Sequence, residues 1–139
     1  MDKSILSILK FHDYKVDTLE FIHNPNYDPD NAADIDFNVN FKVQGKFEEK
    51  TAIVTLSSEI KDPENSNRYP FSLKISVSGY FSVEPEEEIT EQYFVKFCKL
   101  NGTTALFPFF RSTIADITRT CNSFPLIIPL INVSNFTNE

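Results

Sequence analysis

The sequence predicts an α+β protein, a four-stranded antiparallel sheet with helices packed on one face. Three observations carry that prediction. Apolar residues recur at every second position through the first part of the chain, the period turns helical after Val83, and the later strands are joined by short connections. With 139 residues, the chain has the length of one domain, taken as 1–139.

The first strand is expected across Phe11–Ile22, where the phase of the apolar positions changes. Tyr14 and Val16 share one parity, Leu19 and Phe21 the other. One extra residue in a strand flips every side chain after it, so a β-bulge is expected there. Asn24 to Asn31 is long and carries Pro25 and Pro29, which cannot donate to a ladder; it reads as a crossover to a non-adjacent strand. In the second strand, Ile35, Phe37, Val39, Phe41 and Val43 alternate with Asp34, Asp36, Asn38, Asn40 and Lys42. Gly45–Glu49 then makes a hairpin to a third strand holding Ala52, Val54, Leu56 and Ile60. Asp62–Asn67 is a turn-rich loop before the fourth, Phe71–Val83.

After Val83, Glu86-Glu87-Glu88 opens a helix with Ile89, Tyr93, Phe94 and Phe97 at helical spacing; acids at its start and Lys96 and Lys99 near its end suit the helix dipole. Asn101-Gly102 is expected to stop it. Thr103 or Thr104 then caps a second helix, in which Leu106, Phe110, Ile114 and Ile117 form one apolar stripe, with Cys121 at its end and a slight kink at Pro108. If that stripe covers the sheet, Phe107 and Phe109 point elsewhere, toward a second buried surface. Phe124–Ile131 contains Pro125 and Pro129 and no charge, so it reads as an extended apolar strap rather than a helix. A strap of this kind lies on an apolar surface or offers one to a partner.

Composition excludes several classes. A net charge of −7 repels phosphate backbones, which argues against nucleic acid as a partner. No stretch approaches the roughly 20 apolar residues of a membrane-spanning helix, and the N-terminus has no leader pattern, so a cytoplasmic location is expected. Asn101, Asn132 and Asn135 begin glycosylation triplets, read as incidental without an export signal. Cys98 and Cys121 have neither ligand spacing nor a disulfide framework, and are expected as reduced, buried thiols. His12 and His23 stand alone, so no metal or other cofactor is expected. The chain has three glycines and neither a phosphate-cradling loop nor a nucleophile elbow. The acids of Glu84–Glu91 read as a solvated run, and Ser112, Asp116 and Arg119 as one polar helix face. No catalytic residue is assigned.

Asn101 followed by Ala105-Leu106-Phe107-Pro108-Phe109-Phe110-Arg111 and Ile114, then Phe124-Pro125-Leu126, Pro129 and Asn132, resembles the SecB family of export chaperones. Ser78-Gly79-Tyr80-Phe81-Ser82-Val83 resembles the end of that family's fourth strand, and Asn24-Pro25-Asn26 its crossover. The resemblance runs from about Lys10 to Phe136. It implies a SecB-like sheet-and-helix fold, assembly as a dimer of dimers, and an ATP-independent, non-enzymatic holdase that keeps unfolded polypeptides soluble in hydrophobic grooves. Client-binding residues are accordingly expected at Tyr27, Phe107, Phe124, Leu126, Ile128 and Leu130. The oligomer interface, of a homodimer or homotetramer, is expected at Phe109, Phe110, Ile114 and Ile117.

Three departures qualify what carries over. The chain reads three residues past Phe136, where the export chaperone continues into a helix that lids the groove, so the groove is expected open or covered by another subunit. Lys74, Thr18 and Ile22 stand where the family's acids dock the motor SecA, and a reversed sign works against that docking. Ser112 replaces a glutamate. These departures fit a second reading, a SecB-like chaperone dedicated to one partner such as the antitoxin of a toxin–antitoxin pair. Outside the chaperone class stand a protein-interaction module and, more weakly, a small-molecule carrier using the space between sheet and helix.

Overall fold

A computed structural model describes residues 9–84, 90–121 and the backbone of 137–138. Four strands, β1 (Leu9–His23), β2 (Asn40–Lys46), β3 (Thr51–Ile60) and β4 (Phe71–Val83), are followed by helix α1 (Glu91–Phe97), a π-turn (Cys98–Gly102), helix α2 (Thr103–Thr120) and a short β5 (Thr137–Asn138). The sheet order is β1-β4-β3-β2-β5. β1 pairs with β4, β4 with β3, and β3 with β2, all antiparallel, so the chain does cross to a non-adjacent strand, and the connection extends past the expected Asn24–Asn31 to Val39. β5 was not expected; it pairs in parallel with Asn40 and Phe41 of β2.

β1 carries two bulges rather than one. Its register to β4 slips between Phe11 and Asp13 and again between Val16 and Thr18. Each slip flips the side chains that follow. As a result Phe11, Tyr14, Val16, Leu19 and Phe21 all stand opposite the inward row of β4 (Phe81, Gly79, Val77, Ile75, Leu73). The extra residues, His12 and Asp17, both bond to serines of β4: His12 Nε2 lies 2.6 Å from Ser82 Oγ, and Ser78 donates to Asp17. Ser78 Oγ also lies 2.8 Å from Thr55 Oγ1, so a hydroxyl chain crosses three strands.

Residues 34–39 are not in the ladder, which shortens the expected second strand. The alternation survives without it. Ile35, Phe37 and Val39 pack against the main core while Asp34, Asp36 and Asn38 stay exposed. Side chains supply part of what a strand would have given, because Asp36 N–H donates to Tyr69 Oη at 2.9 Å and Ser58 Oγ donates to Asn38 O at 2.7 Å.

The helices also differ from expectation. Thr90 caps α1, accepting from Tyr93 N–H at 3.2 Å; Glu86 to Ile89 lie outside the described residues. Asn101-Gly102 does not end the helix. Gly102 is helical (φ −66°, ψ −43°), and neither Thr103 nor Thr104 caps α2; Thr104 Oγ1 donates back to Leu100 O at 2.7 Å. Glycine stands there for proximity: a Cβ at Gly102 would lie 2.7 Å from Val54 Cγ2 of the sheet. Pro108 consequently falls inside one long helical run. Asn101 Nδ2 donates to Phe97 O, and Gly102 and Thr103 are buried, so that glycosylation triplet is closed within the fold.

The main core lies between the sheet and α2, filled by Leu56, Ile75, Phe81, Leu106, Phe110 and Ile114, all essentially inaccessible. Burying such side chains contributes roughly 1.5–3 kcal/mol apiece. A smaller cluster under α1 holds Ala52, Val83, Phe94, Phe97 and Cys98. Burial pushes the Cys98 thiol up to about 11, which keeps it protonated and unreactive in place. Cys121, expected buried, is exposed at the end of α2, one step past the covered stripe. Among the described residues no helix is long and apolar enough to cross a membrane.

Candidate functional site: an apolar strip between β1 and α2

β1 is an edge strand, and α2 covers it only in part, with Phe109 packed on Phe11 and Tyr14. Tyr14, Val16 and Leu19, on the helix side of the sheet, remain 37%, 42% and 42% exposed. Phe109 of α2 is 39% exposed and closes the strip, its ring centre 4.7 Å from that of Tyr14 and 5.4 Å from Phe11. Phe11 in turn stacks on Phe81 at 4.9 Å, which ties the strip to the core. Aromatic pairs of this geometry contribute about 0.5–1.5 kcal/mol beyond their buried area. The rings are therefore held in place while still facing solvent. Contiguous exposed apolar surface backed by a rigid core is the usual signature of a protein-binding surface.

The residues assigned from sequence fall in several places. Phe109 lies on this strip, and Ile117 is half-buried at the margin of the core. Phe110 and Ile114 are corrections: both are fully buried in the chain's own core, where they satisfy the sheet and leave nothing for a second subunit. Phe107 is a correction too. It is 5% exposed and packs into the same core, so it does not present a client-binding surface. Tyr27 is half-buried in the crossover, in a turn closed by its N–H to Asn24 O at 3.3 Å. That crossover is pinned to the β3–β4 loop through Asp28 N–H to Asn67 O and Asn24 Nδ2 to Tyr69 O. Phe124, Leu126, Ile128 and Leu130 lie outside the described residues. The pattern of Tyr14, Val16 and Leu19 marks a strand face; what exposes them is the edge position of β1, which a period-two pattern does not encode.

The outer sheet face is largely polar, with Ile22, Ile53 and Tyr80 among its side chains. Lys74 lies in register between Glu20 of β1 and Glu59 of β3, so the reversed charge sits within an acidic row instead of replacing it. Further along this face a depression of about 560 Å3 is lined by His12, Gln44, Lys46, Ile53, Tyr80 and Ser82. Among the described residues no group of three or more His, Cys, Asp or Glu side chains converges as metal ligands do.

An open antiparallel sheet with a long helix packed on one face is the SecB-like fold. The chain belongs to the SecB family: the family described as preprotein translocase subunit SecB matches residues 15–138. Among its relatives, the uncharacterized protein MJ0357 of Methanocaldococcus jannaschii is 32% identical over 130 residues, covering 91% of this chain and 80% of that protein. The protein-export protein SecB of a Wolbachia strain from Drosophila simulans is 28% identical, over 89% of this chain and 84% of the relative. Among solved structures, the Mycobacterium tuberculosis SecB-like chaperone Rv1957, in complex with a ChAD peptide from the Rv1956 HigA1 antitoxin, superposes with a TM-score of 0.67. Their identity is 14%, and 90% of this chain and 91% of that one are covered.

Proposed function

We propose that this chain is an ATP-independent holdase that binds non-native polypeptide segments on exposed apolar surface and keeps them from aggregating. The observation that carries the reading is the strip of Tyr14, Val16, Leu19 and Phe109, large apolar side chains that each stay more than a third exposed on the helix side of the sheet. Membership of the SecB family supports it. Tyr27 and the segment Phe124, Leu126, Ile128 and Leu130 extend the client surface in this proposal. The acidic exterior keeps the protein soluble and attracts basic clients.

The same proposal has the protein working as a homo-oligomer. β1 is a 15-residue edge strand whose outer ladder can pair with a second copy across a twofold axis, an arrangement that uses one patch twice. Phe109 and Ile117 remain in the proposed interface, whereas Phe110 and Ile114 are in the chain's own core. In this proposal the protein works in the cytoplasm and has no catalytic role.

The test is light scattering of an aggregating unfolded client. Suppression at stoichiometric amounts supports the proposal, and unchanged aggregation rejects it. Leu126→Asp and Ile128→Asp are expected to weaken client binding with the fold intact; if either variant unfolds, that segment is core. A second reading, a chaperone dedicated to one antitoxin, is favoured by the antitoxin-derived peptide held by the structural neighbour. A client range limited to one partner would select it.

A further inference from the structure

Helix α1 and the tip of the β2–β3 hairpin close over a hydrophobic cluster of their own. Phe94, Phe97, Cys98, Ala52 and Val83 form it, apart from the main core, with Phe47 half-buried at its edge. From the hairpin, the Phe47 ring meets Phe94 edge-on at 5.7 Å. The Lys50 ammonium lies 3.3 Å from the Phe47 ring centre and 5.8 Å from that of Phe94. From the helix, seven residues bury only Phe94 and Phe97, while Tyr93 and Val95 stay exposed. A helix of this length has little stability of its own and holds through its packing. Two features make the closure easy to release. Lys50 occupies a left-handed backbone conformation (φ 54°), unfavourable for a lysine. The π-turn Cys98–Gly102 joins α1 to α2, and such irregular turns are where helices hinge.

We infer that α1 and the hairpin tip form a latch: α1 swings about the π-turn and the tip loosens with it, giving up the Val83 N–H to Lys50 O bond, as one local unfolding unit while α2 and the β1-β4-β3 sheet stay closed. Opening uncovers Phe94, Phe97, Ala52 and Val83 as additional apolar surface. Its use for client chains rests on the function proposed above; the motion does not. Cooperative units of this kind open at lower free energy than the whole fold.

The Cys121→Ser protein leaves Cys98 as the sole thiol, fully buried in the cluster that the latch closes, at its hinge end. A small thiol reagent is expected to label it faster than the amides of Ile75 and Val77 on β4 exchange, with a weak urea dependence. Phe47→Ala removes one aromatic pair and is expected to speed labelling by about three- to tenfold, with β4 exchange unchanged. Lys50→Met, which keeps length and removes the cation, is expected to act in the same direction. Labelling at the rate and urea dependence of global unfolding overturns the latch, as does a Phe47→Ala variant that accelerates both readouts equally. Client aggregation is a separate measurement: a protein that labels as expected and suppresses nothing keeps the latch and loses the chaperone function.

Discussion

Phe109 of α2 stands with its ring centre 4.7 Å from that of Tyr14 on β1, and both rings remain more than a third exposed. The next residue, Phe110, is fully buried. One helical step thus separates a core side chain from a surface one. Phe110→Ala is expected to destabilise the fold by about 3–5 kcal/mol, as large-to-small core changes do. Phe109→Ala should cost about 1 kcal/mol, yet reduce self-association and client binding. Urea unfolding and solution light-scattering mass measured on both variants check the contrast. Equal destabilisation would place Phe109 in the core.

Gly102 allows α2 to approach the sheet. A Cβ there meets Val54 Cγ2 at 2.7 Å, and overpacking of this kind costs about 1–3 kcal/mol, more than the gain of at most about 1 kcal/mol from alanine's helix propensity. Gly102→Ala is expected to lower the urea midpoint. In a Val54→Ala background the same change should be neutral or stabilising, a coupling that a double-mutant cycle reads directly.

Asp62 organises the β3–β4 loop. Its carboxylate accepts from the backbone N–H of Arg68 at 2.9 Å, Glu64 at 3.0 Å and Ser66 at 3.2 Å, and the Arg68 bond is the leading cause that holds its pKa below the ordinary value. A depressed folded-state pKa gives stability that is present above the unfolded pKa of about 3.9 and is lost as pH falls through the folded value. The loop is therefore expected to loosen on acidification below about pH 4. Asp62→Asn should flatten that pH dependence of the melting temperature while lowering it at neutral pH. An unchanged acid limb in the variant would refute the assignment.

Lys50 trades backbone strain against a cation over a ring. Glycine would relieve roughly 1 kcal/mol of left-handed cost and forfeit about 0.5–1 kcal/mol of cation–π attraction, along with the bond that Lys50 Nζ donates to Phe47 O at 2.9 Å. Lys50→Gly is thus expected to be slightly destabilising. Lys50→Ala keeps the strain and loses the contact, so it should be the less stable of the two in urea titrations.

How far the sequence discloses this arrangement depends on what each signal encodes. Period-two patterning finds β3 and β4 because both lie inside the sheet with an inner face covered by α2, and the parity change at Val16 and Leu19 finds a bulge. It does not reveal that β1 ends at an edge, since strand order follows from long-range pairing. The exposure of Tyr14, Val16 and Leu19 was hidden for that reason. Asn101-Gly102 misleads because a glycine selected for contact with Val54 looks the same as one that ends a helix. Phe107 misleads through its place off the stripe, although an edge of the core receives it.

The most direct measurement is aggregation of a chemically unfolded client, followed by light scattering with and without this protein. Suppression at one-to-one stoichiometry, weakened by charge placed in the strip through Val16→Asp or Leu19→Asp, is the expected result. Undiminished scattering at any ratio, from a protein shown to be folded, would contradict the account.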